Sequence, residues 1–278
     1  HEQGAAFAAE GFARVTGLPG IALATSGPGA TNLLTGIGSC YFDSVPAIFI
    51  TGQVNRHELK GDRAIRQLGF QETDIISMAK PITKACFQIL DGNEIPQIFE
   101  KAFEIALEGR PGPVLIDVPM DIQRFQIEDT KFEKQSKQEE EISSVVIQNM
   151  INDIQQAKKP LLLAGRGIKA SKSQEDFELF VNETKIPVIT TLLGLDTIEH
   201  KNPQRVGFIG SYGNRWANIA FGECDLLIVL GSRLDIRQTG ADTKFIENRK
   251  IYHIDCEKGE INNRVKGCTA INNDLKLF

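Results

Sequence analysis

The chain has 278 residues, 41% of them hydrophobic and 24% charged, and carries a formal net charge of −5. That length suits one large domain or two ordinary ones. The acidic balance argues against nucleic acid or an anionic membrane as the main partner, and the longest apolar runs, PAIFI and DLLIVLG, have the length of strands rather than membrane spans.

HEQGAAFAAEGFARVTG opens the chain as a helix rich in alanine and glycine. GIALATSG then reads as a buried strand, ATNLLTGIGSCYFD as a helix entered through a glycine-rich turn, and PAIFITGQV as a second buried strand. EIPQIFEKAFEIALEGRPG is amphipathic, with Ile95, Ile98, Phe99, Ala102, Phe103 and Ala106 on one face, and stops at Gly109. PVLIDVP follows as a third strand. Residues 126–143 are charged and poor in apolar side chains, as expected of a solvated interdomain linker.

Beyond it the alternation restarts with KPLLLAGRG, a helix through FELFVNET, IPVITTLLG, a helix around RWANIAF, DLLIVLGSR and KIYHIDCE. That gives four short apolar strands in the second half. The pattern predicts an α/β protein of two parallel-sheet domains, residues 1–125 and 144–278.

Three glycine-rich turns follow strands: SGPGATN, AGRGIKAS and GSRLDIRQTG. In open parallel sheets ligands bind at the carboxyl ends of strands, where such turns gather, and their backbone N–H groups suit an anion. None is a Walker loop or a complete GxGxxG, and a strand-to-helix turn takes glycine for steric reasons alone. Three such turns in two similar domains favour a nucleotide-like ligand without naming it. His57, His200 and His253 lack ligand spacing, so no metal site is assigned, and Ser26 is not in a hydrolase elbow. The five scattered cysteines form no CxxC pair and fit reduced thiols of a cytoplasmic protein.

Read together, HEQGAAFAAEGFARVTG, TSGPGATN, ITGQV, GFQETDI and GRPGPVLIDVP resemble, in that order, the thiamine diphosphate-dependent carboligases, most closely the acetolactate synthase catalytic subunits. The resemblance implies that residues 1–125 are the pyrimidine-binding domain, lacking its first strand and helix, and that residues 144–278 are a Rossmann-like central domain. It places Glu2 on the family's catalytic glutamate, which engages N1′ of the cofactor's aminopyrimidine and so makes the 4′-nitrogen a base. Partial desolvation would match its proton affinity to the ring nitrogen, and Gly4, Ala5 and Ala6 would let a flat ring approach. The dipeptide alone reads equally as a charged residue at a helix start.

By the same resemblance Ser26, Gly27, Pro28, Gly29 and Asn32 line the pyrimidine side, and Phe70 and Gln71 lie near substrate and cofactor. In flavin-containing members FAD is held through positions matching Gly165, Gly167, Thr190, Gly231, Arg233 and Arg237, with Arg110 reaching from the first domain; it would be structural rather than redox-active. Two arginines beside a glycine turn suit a diphosphate, although a surface or interdomain salt bridge explains them too.

The implied reaction decarboxylates pyruvate, a small 2-oxo acid, and transfers the two-carbon unit to a second carbonyl. It implies a homo-oligomer with shared active sites and a place in branched-chain amino acid biosynthesis. Two departures stand out. Met120 occupies the place of a family lysine, and NRHELKGDRAIRQLG is long and basic, so Arg56, Lys60, Arg63 and Arg66 would suit an anionic acceptor. Both point to an alternative, acetyl transfer to a nucleotide-linked ketosugar; a non-catalytic nucleotide-binding protein is the alternative of another class. Nothing resembles the pyrophosphate-binding domain that holds Mg2+, so the chain reads as a piece of a longer polypeptide that does not turn over alone.

Overall fold

The structure is a computed structural model that describes residues 1–127, 142–241, 246 and 249–278. The chain divides into two compact units, His1–Gln135 and Ser136–Phe278. Most of the expected linker, residues 128–141, lies outside the described residues.

The first unit runs α1 (Glu2–Thr16), β1 (Gly20–Ala24), α2 (Pro28–Phe42), β2 (Ala47–Gln53), α3 (Ile75–Ala79), β3 (Ala85–Gln88), α4 (Ile95–Leu107) and β4 (Pro113–Pro119). Its four strands are all parallel, in the order β1-β2-β4-β3. The central strands β2 and β4 are covered on both faces and therefore read as unbroken apolar runs. On one face Ala6, Ala9 and Ala13 of α1 pack with Leu33 and Ile37 of α2 against Phe49 and Leu115. On the other, Ala102 and Ala106 of α4 pack on Ile48, Val114 and Ile116, flanked by the partly buried Ile98, Phe99 and Phe103.

The small residues of α1 serve this packing. A Cβ at Gly36 of α2 would lie 2.4 Å from Ala6 Cβ, and one at Gly20 would lie 1.9 Å from the Ala9 carbonyl oxygen. Ala6 is thus fully buried under α2, and only Gly4 and Ala5 of the expected smooth surface are open. The helix ends at Gly17, whose left-handed φ of 70° lets its N–H reach the Ala13 carbonyl.

The second unit runs α5 (Ser144–Gln156), β5 (Pro160–Ala164), α6 (Gly167–Ala170), α7 (Gln174–Thr184), β6 (Val188–Thr190), β7 (Arg205–Phe208), α8 (Arg215–Glu223), β8 (Leu226–Leu230), α9 (Ile236–Thr239), β9 (Lys250–Asp255) and β10 (Thr269–Asn272). Its six parallel strands are ordered β10-β9-β8-β5-β6-β7. The chain winds outward from β5 in one direction and from β8 in the other, which is the Rossmann arrangement with its switch point between those two strands. Tyr252, Ile228 and Leu162 pack on one face, and Leu163, Val229 and Phe221 on the other.

Three strands exceed the sequence expectation: β3, β7 and β10. All three are sheet edges and only partly buried, so none carries the apolar run that marks a central strand. Among the described residues, no helix is long and apolar enough to cross a membrane.

His253 sits on β9, almost wholly buried, and its Nε2–H donates to the Ser232 carbonyl at 2.8 Å. Burial pushes its pKa below the ordinary 6.5, with Asp255 and Glu260 acting in the opposite direction. The unfolded chain therefore binds this proton more readily than the folded one. The stability contributed by a neutral His253 is present above about 6.5 and is lost as pH falls through the lowered folded value. The unfolding midpoint should fall by a few degrees between about pH 7.5 and about pH 5.5, and by less in His253→Gln. Equal slopes in thermal melts of the two proteins would count against this assignment.

Candidate functional site

In the first unit the carboxyl end of β1 leads through Thr25–Gly27 into α2, with Gly27 at φ 64° and Pro28 in the first turn of the helix. Glu2, in the first turn of α1, comes beside this entrance. Asn32 Nδ2 donates to Glu2 Oε2 at 3.0 Å, and a Cβ at Gly29 would stand 3.3 Å from Glu2 Oε1. Ser26 is half-buried, and Pro28 is exposed on the rim. The residues of SGPGATN therefore meet Glu2 in space.

The Glu2 carboxyl is held below the usual carboxylate range, first by a backbone N–H at its own helix end and then by Asn32. Desolvation acts in the expected direction, raising its proton affinity, but the two hydrogen bonds outweigh it, and the Glu2 side chain is only half-buried. A carboxylate that accepts from Asn32 through one oxygen keeps acceptor capacity for a protonated ring nitrogen, so the residues fit an aminopyrimidine.

Gln71 approaches from the other side. It has a left-handed φ of 65°, and a Cβ at Gly27 would lie 2.8 Å from Gln71 Cβ. Only a residue without a side chain allows that approach. Phe70 is 82% exposed. Glu72 anchors the preceding loop: its two oxygens accept from the Lys60 and Leu68 N–H groups, each at 2.7 Å.

The basic loop is less free than its composition suggests. Arg56 pairs with Asp121 at 2.6 Å and donates to the Leu90 carbonyl, and Arg63 donates to the carbonyls of Leu59 and Lys60. Met120, at the end of β4, is partly exposed, and its N–H donates to the Gln53 carbonyl.

A buried polar network lies beneath the turn, and sequence reasoning did not single it out. Asp117 of β4 is fully buried and accepts from Thr51 Oγ1 (2.7 Å), Gln53 Nε2 (3.0 Å) and Gln88 Nε2 (3.1 Å). Thr51, Asp117 and Gln88 form one register row across β2, β4 and β3. The available signal was a carboxylate in the middle of PVLIDVP, an otherwise apolar strand that is buried on both faces.

In the second unit the switch point brings three predicted residues together. Gly165 N–H donates to the Leu230 carbonyl at 2.9 Å, and Gly167 N–H to the Gly231 carbonyl at 3.1 Å. Gly231 has φ 59°, and a Cβ there would lie 2.4 Å from Gly167 Cα. Thr190 ends β6 opposite Ala164 of β5; its side chain is fully buried, and its Oγ1 has no partner among the described residues.

Arg233 is half-exposed and reaches Asp235 at 3.4 Å and Glu260 at 3.8 Å, so the salt-bridge alternative is partly realised. Arg237 is exposed at the start of α9, whose N-terminus Asp235 caps. An unpartnered hydroxyl beside a glycine cradle and two arginines fits a dinucleotide with its diphosphate. Arg110 lies in the first unit, where its Nε donates to Ser44 Oγ at 2.8 Å.

A parallel sheet presenting a glutamate at a glycine-rich helix entrance, with a Rossmann-ordered sheet later in the chain, is the arrangement that the resemblance to thiamine diphosphate-dependent enzymes leads one to expect. Residues 1–78 match the thiamine pyrophosphate enzyme N-terminal TPP binding domain, and residues 147–278 match the thiamine pyrophosphate enzyme central domain. The chain belongs to the thiamine pyrophosphate enzymes.

Its relatives include acetolactate synthase 1, chloroplastic, of Nicotiana tabacum, 40% identical over all of this chain and 41% of the relative. The acetolactate synthase large subunit of Lactococcus lactis is 39% identical over 99% of this chain and 48% of its own length. The isozyme 2 large subunit of Escherichia coli is 38% identical over all of this chain and 50% of its own length. The chain thus spans half or less of the length of these relatives.

Proposed function

We propose that this chain serves a thiamine diphosphate-dependent carboligase of the acetolactate synthase type, which decarboxylates pyruvate and passes the two-carbon unit to a second 2-oxo acid. The observation that carries this reading is the Glu2 carboxylate clasped by Asn32 over Gly29. Bound thiamine diphosphate would supply the electron sink for cleaving the bond to the carboxylate. Glu2 would hold the proton at N1′ of its aminopyrimidine ring. Ser26, Gly27, Pro28 and Gly29 would form the wall beside that ring, and Gln71 and Phe70 would close the substrate side.

FAD belongs to the same reading, with Gly165, Gly167, Thr190, Gly231, Arg233 and Arg237 of the second unit as its contacts. Magnesium would accompany the cofactor's diphosphate, and we assign it no ligand among the described residues. The reading includes a homo-oligomer with active sites shared between copies. It also includes a cytoplasmic location, which the five free cysteines support. The relatives' names favour a 2-oxo acid acceptor over a nucleotide-linked ketosugar or a non-catalytic nucleotide-binding role.

The test is to express the complete gene that encodes this chain and to supply pyruvate, thiamine diphosphate and magnesium. Products are then analysed with and without 2-oxobutyrate or a nucleotide-linked ketosugar. Acetolactate formation, and flavin absorbance in the purified protein, are expected. Pyruvate consumption that does not depend on thiamine diphosphate, or an acetylated sugar as the sole product, would overturn the reading.

A further inference from the structure

Gln71 holds a left-handed backbone conformation, φ 65°, that disfavours any residue bearing a side chain, so something must hold the turn there. Two groups grip it. From outside, Glu72 accepts the Lys60 and Leu68 N–H groups. From beneath, Gln53 Nε2 donates to the Thr73 carbonyl at 2.8 Å, two residues past Gln71.

The Gln53 amide is itself fully committed. Its other N–H meets Asp117 Oδ2 at 3.0 Å, and its oxygen accepts the Val54 N–H at 3.1 Å. Flipping the amide would set its oxygen against a carboxylate and a carbonyl while its NH2 faced an N–H donor. Asp117 Oδ2 therefore acts with the Thr73 carbonyl and the Val54 N–H to decide which way the amide points, and it is the one of the three that lies on a neighbouring strand.

We infer that Asp117 is a positioning residue: through the Gln53 amide it fixes the Gln71–Thr73 turn against Gly27, so that Gln71 faces the entrance where Glu2 and Asn32 meet. What the network needs from Asp117 is an acceptor at Oδ2. Charge is secondary, because no cation touches this carboxylate among the contacts described, and burial pushes its pKa up. An asparagine would serve, with its oxygen in the Oδ2 place and its NH2 donating to Thr51 Oγ1, a hydroxyl that can accept. A leucine of similar size would remove the buried acceptor that anchors the Gln53 amide to β4 and leave one of its N–H groups without a partner.

The inference rests on the proposed function only for the role of Gln71; the link between Asp117 and the turn stands by itself. The experiment is hydrogen–deuterium exchange on the complete gene product, comparing peptides covering residues 69–74 with peptides of β1 and of the second unit. Asp117→Leu and Gln53→Leu should each speed exchange in 69–74 by about tenfold, the size of one lost hydrogen bond, with the other peptides unchanged. Asp117→Asn should stay within about twofold of the parent. Gln88→Leu, which removes a donor to the same Oδ2 without touching the turn, should also leave 69–74 unchanged.

Where Asp117→Leu fails to fold, Gln53→Leu carries the comparison. Equal effects of Gln88→Leu and Gln53→Leu, exchange rising alike across β1 and the turn, or an unaltered turn in Gln53→Leu would each overturn the inference. In pyruvate turnover, Gln53→Leu should lower kcat by about tenfold with KM within about twofold. Exchange that responds as expected, with no thiamine-dependent turnover in the parent, would reject the proposed function and leave the Asp117 link standing.

Discussion

Glu2→Gln in the complete gene product is expected to lower pyruvate turnover by about 10²–10⁴-fold while leaving the fold intact. Glutamine has the same length, and its amide oxygen can still accept the Asn32 N–H that now reaches Oε2 at 3.0 Å. The clasp over Gly29 therefore survives, and unfolding midpoints should agree within a degree or two. In the proposed role, what would be lost is the anionic acceptor for the cofactor's ring nitrogen, and with it the proton affinity that would make the neighbouring amino group basic.

The direct readout is deuterium exchange at the cofactor's thiazolium C2, which reports proton removal before any substrate chemistry. Exchange within about twofold of the parent would remove Glu2 from its role. The pH profile provides a second check. The Glu2 carboxyl is held below its ordinary 4.5 by its helix-end N–H and by Asn32, so it stays ionised throughout the neutral range. A fall in kcat/KM near neutrality, which reports the free enzyme, would then point to a group other than the Glu2 carboxyl.

The second large effect lies at the switch point of the Rossmann sheet. Gly231→Ala combines two costs. A left-handed φ of 59° disfavours any Cβ by about 1–2 kcal/mol. That Cβ would also lie 2.4 Å from Gly167 Cα, so the turns after β5 and β8 must part, an overpacking of about 1–3 kcal/mol.

The total of about 2–5 kcal/mol corresponds to a drop of roughly 10 °C in Tm for a unit of this size. Gly240 supplies the control. Its φ is also positive, at 74°, but among the described residues nothing lies within 4 Å of an added Cβ, so Gly240→Ala should carry the backbone cost alone, about 1–3 kcal/mol. Equal losses in thermal melts of the two variants would show that the Gly167–Gly231 contact carries no weight. If the proposed flavin contacts hold, Gly231→Ala should also emerge from purification with less flavin than Gly240→Ala.

The sequence was most legible where physics acts locally. The runs AIFITGQ, PVLIDVP, PLLLA and LLIVL announce themselves because a strand covered on both faces has no reason to alternate. Gly27 and Gly231 were legible as turns for the same reason, since the demand on the backbone falls on the residue itself. ACFQ, RVGF and TAIN were not, because an edge strand draws its identity from a single neighbour and can keep one side wet.

The site divides along the same line. Glu2 and SGPGATN were readable as a motif, yet their contact depends on how α1 crosses α2. The Gln53–Asp117 bond joins residues 64 positions apart and exists only through the β2–β4 register, which no local pattern encodes. Ala6 misled in the opposite direction: its small size fits a ligand wall and a helix crossing equally well, and the crossing claims it.

The crossing of α1 over α2 behaves like a pair of meshed gears. With Ala6 seated where Gly36 leaves no side chain, and the Ala9 carbonyl seated over Gly20, α1 can neither roll about its axis nor slide along it without collision. The bearing of Glu2 is therefore machined one to two turns along its own helix, by contacts that touch no ligand. A single methyl added at Gly36 would rotate the carboxylate away from Asn32 as surely as a change beside it, so the tolerance of this site is set by the bulk of residues that face only protein.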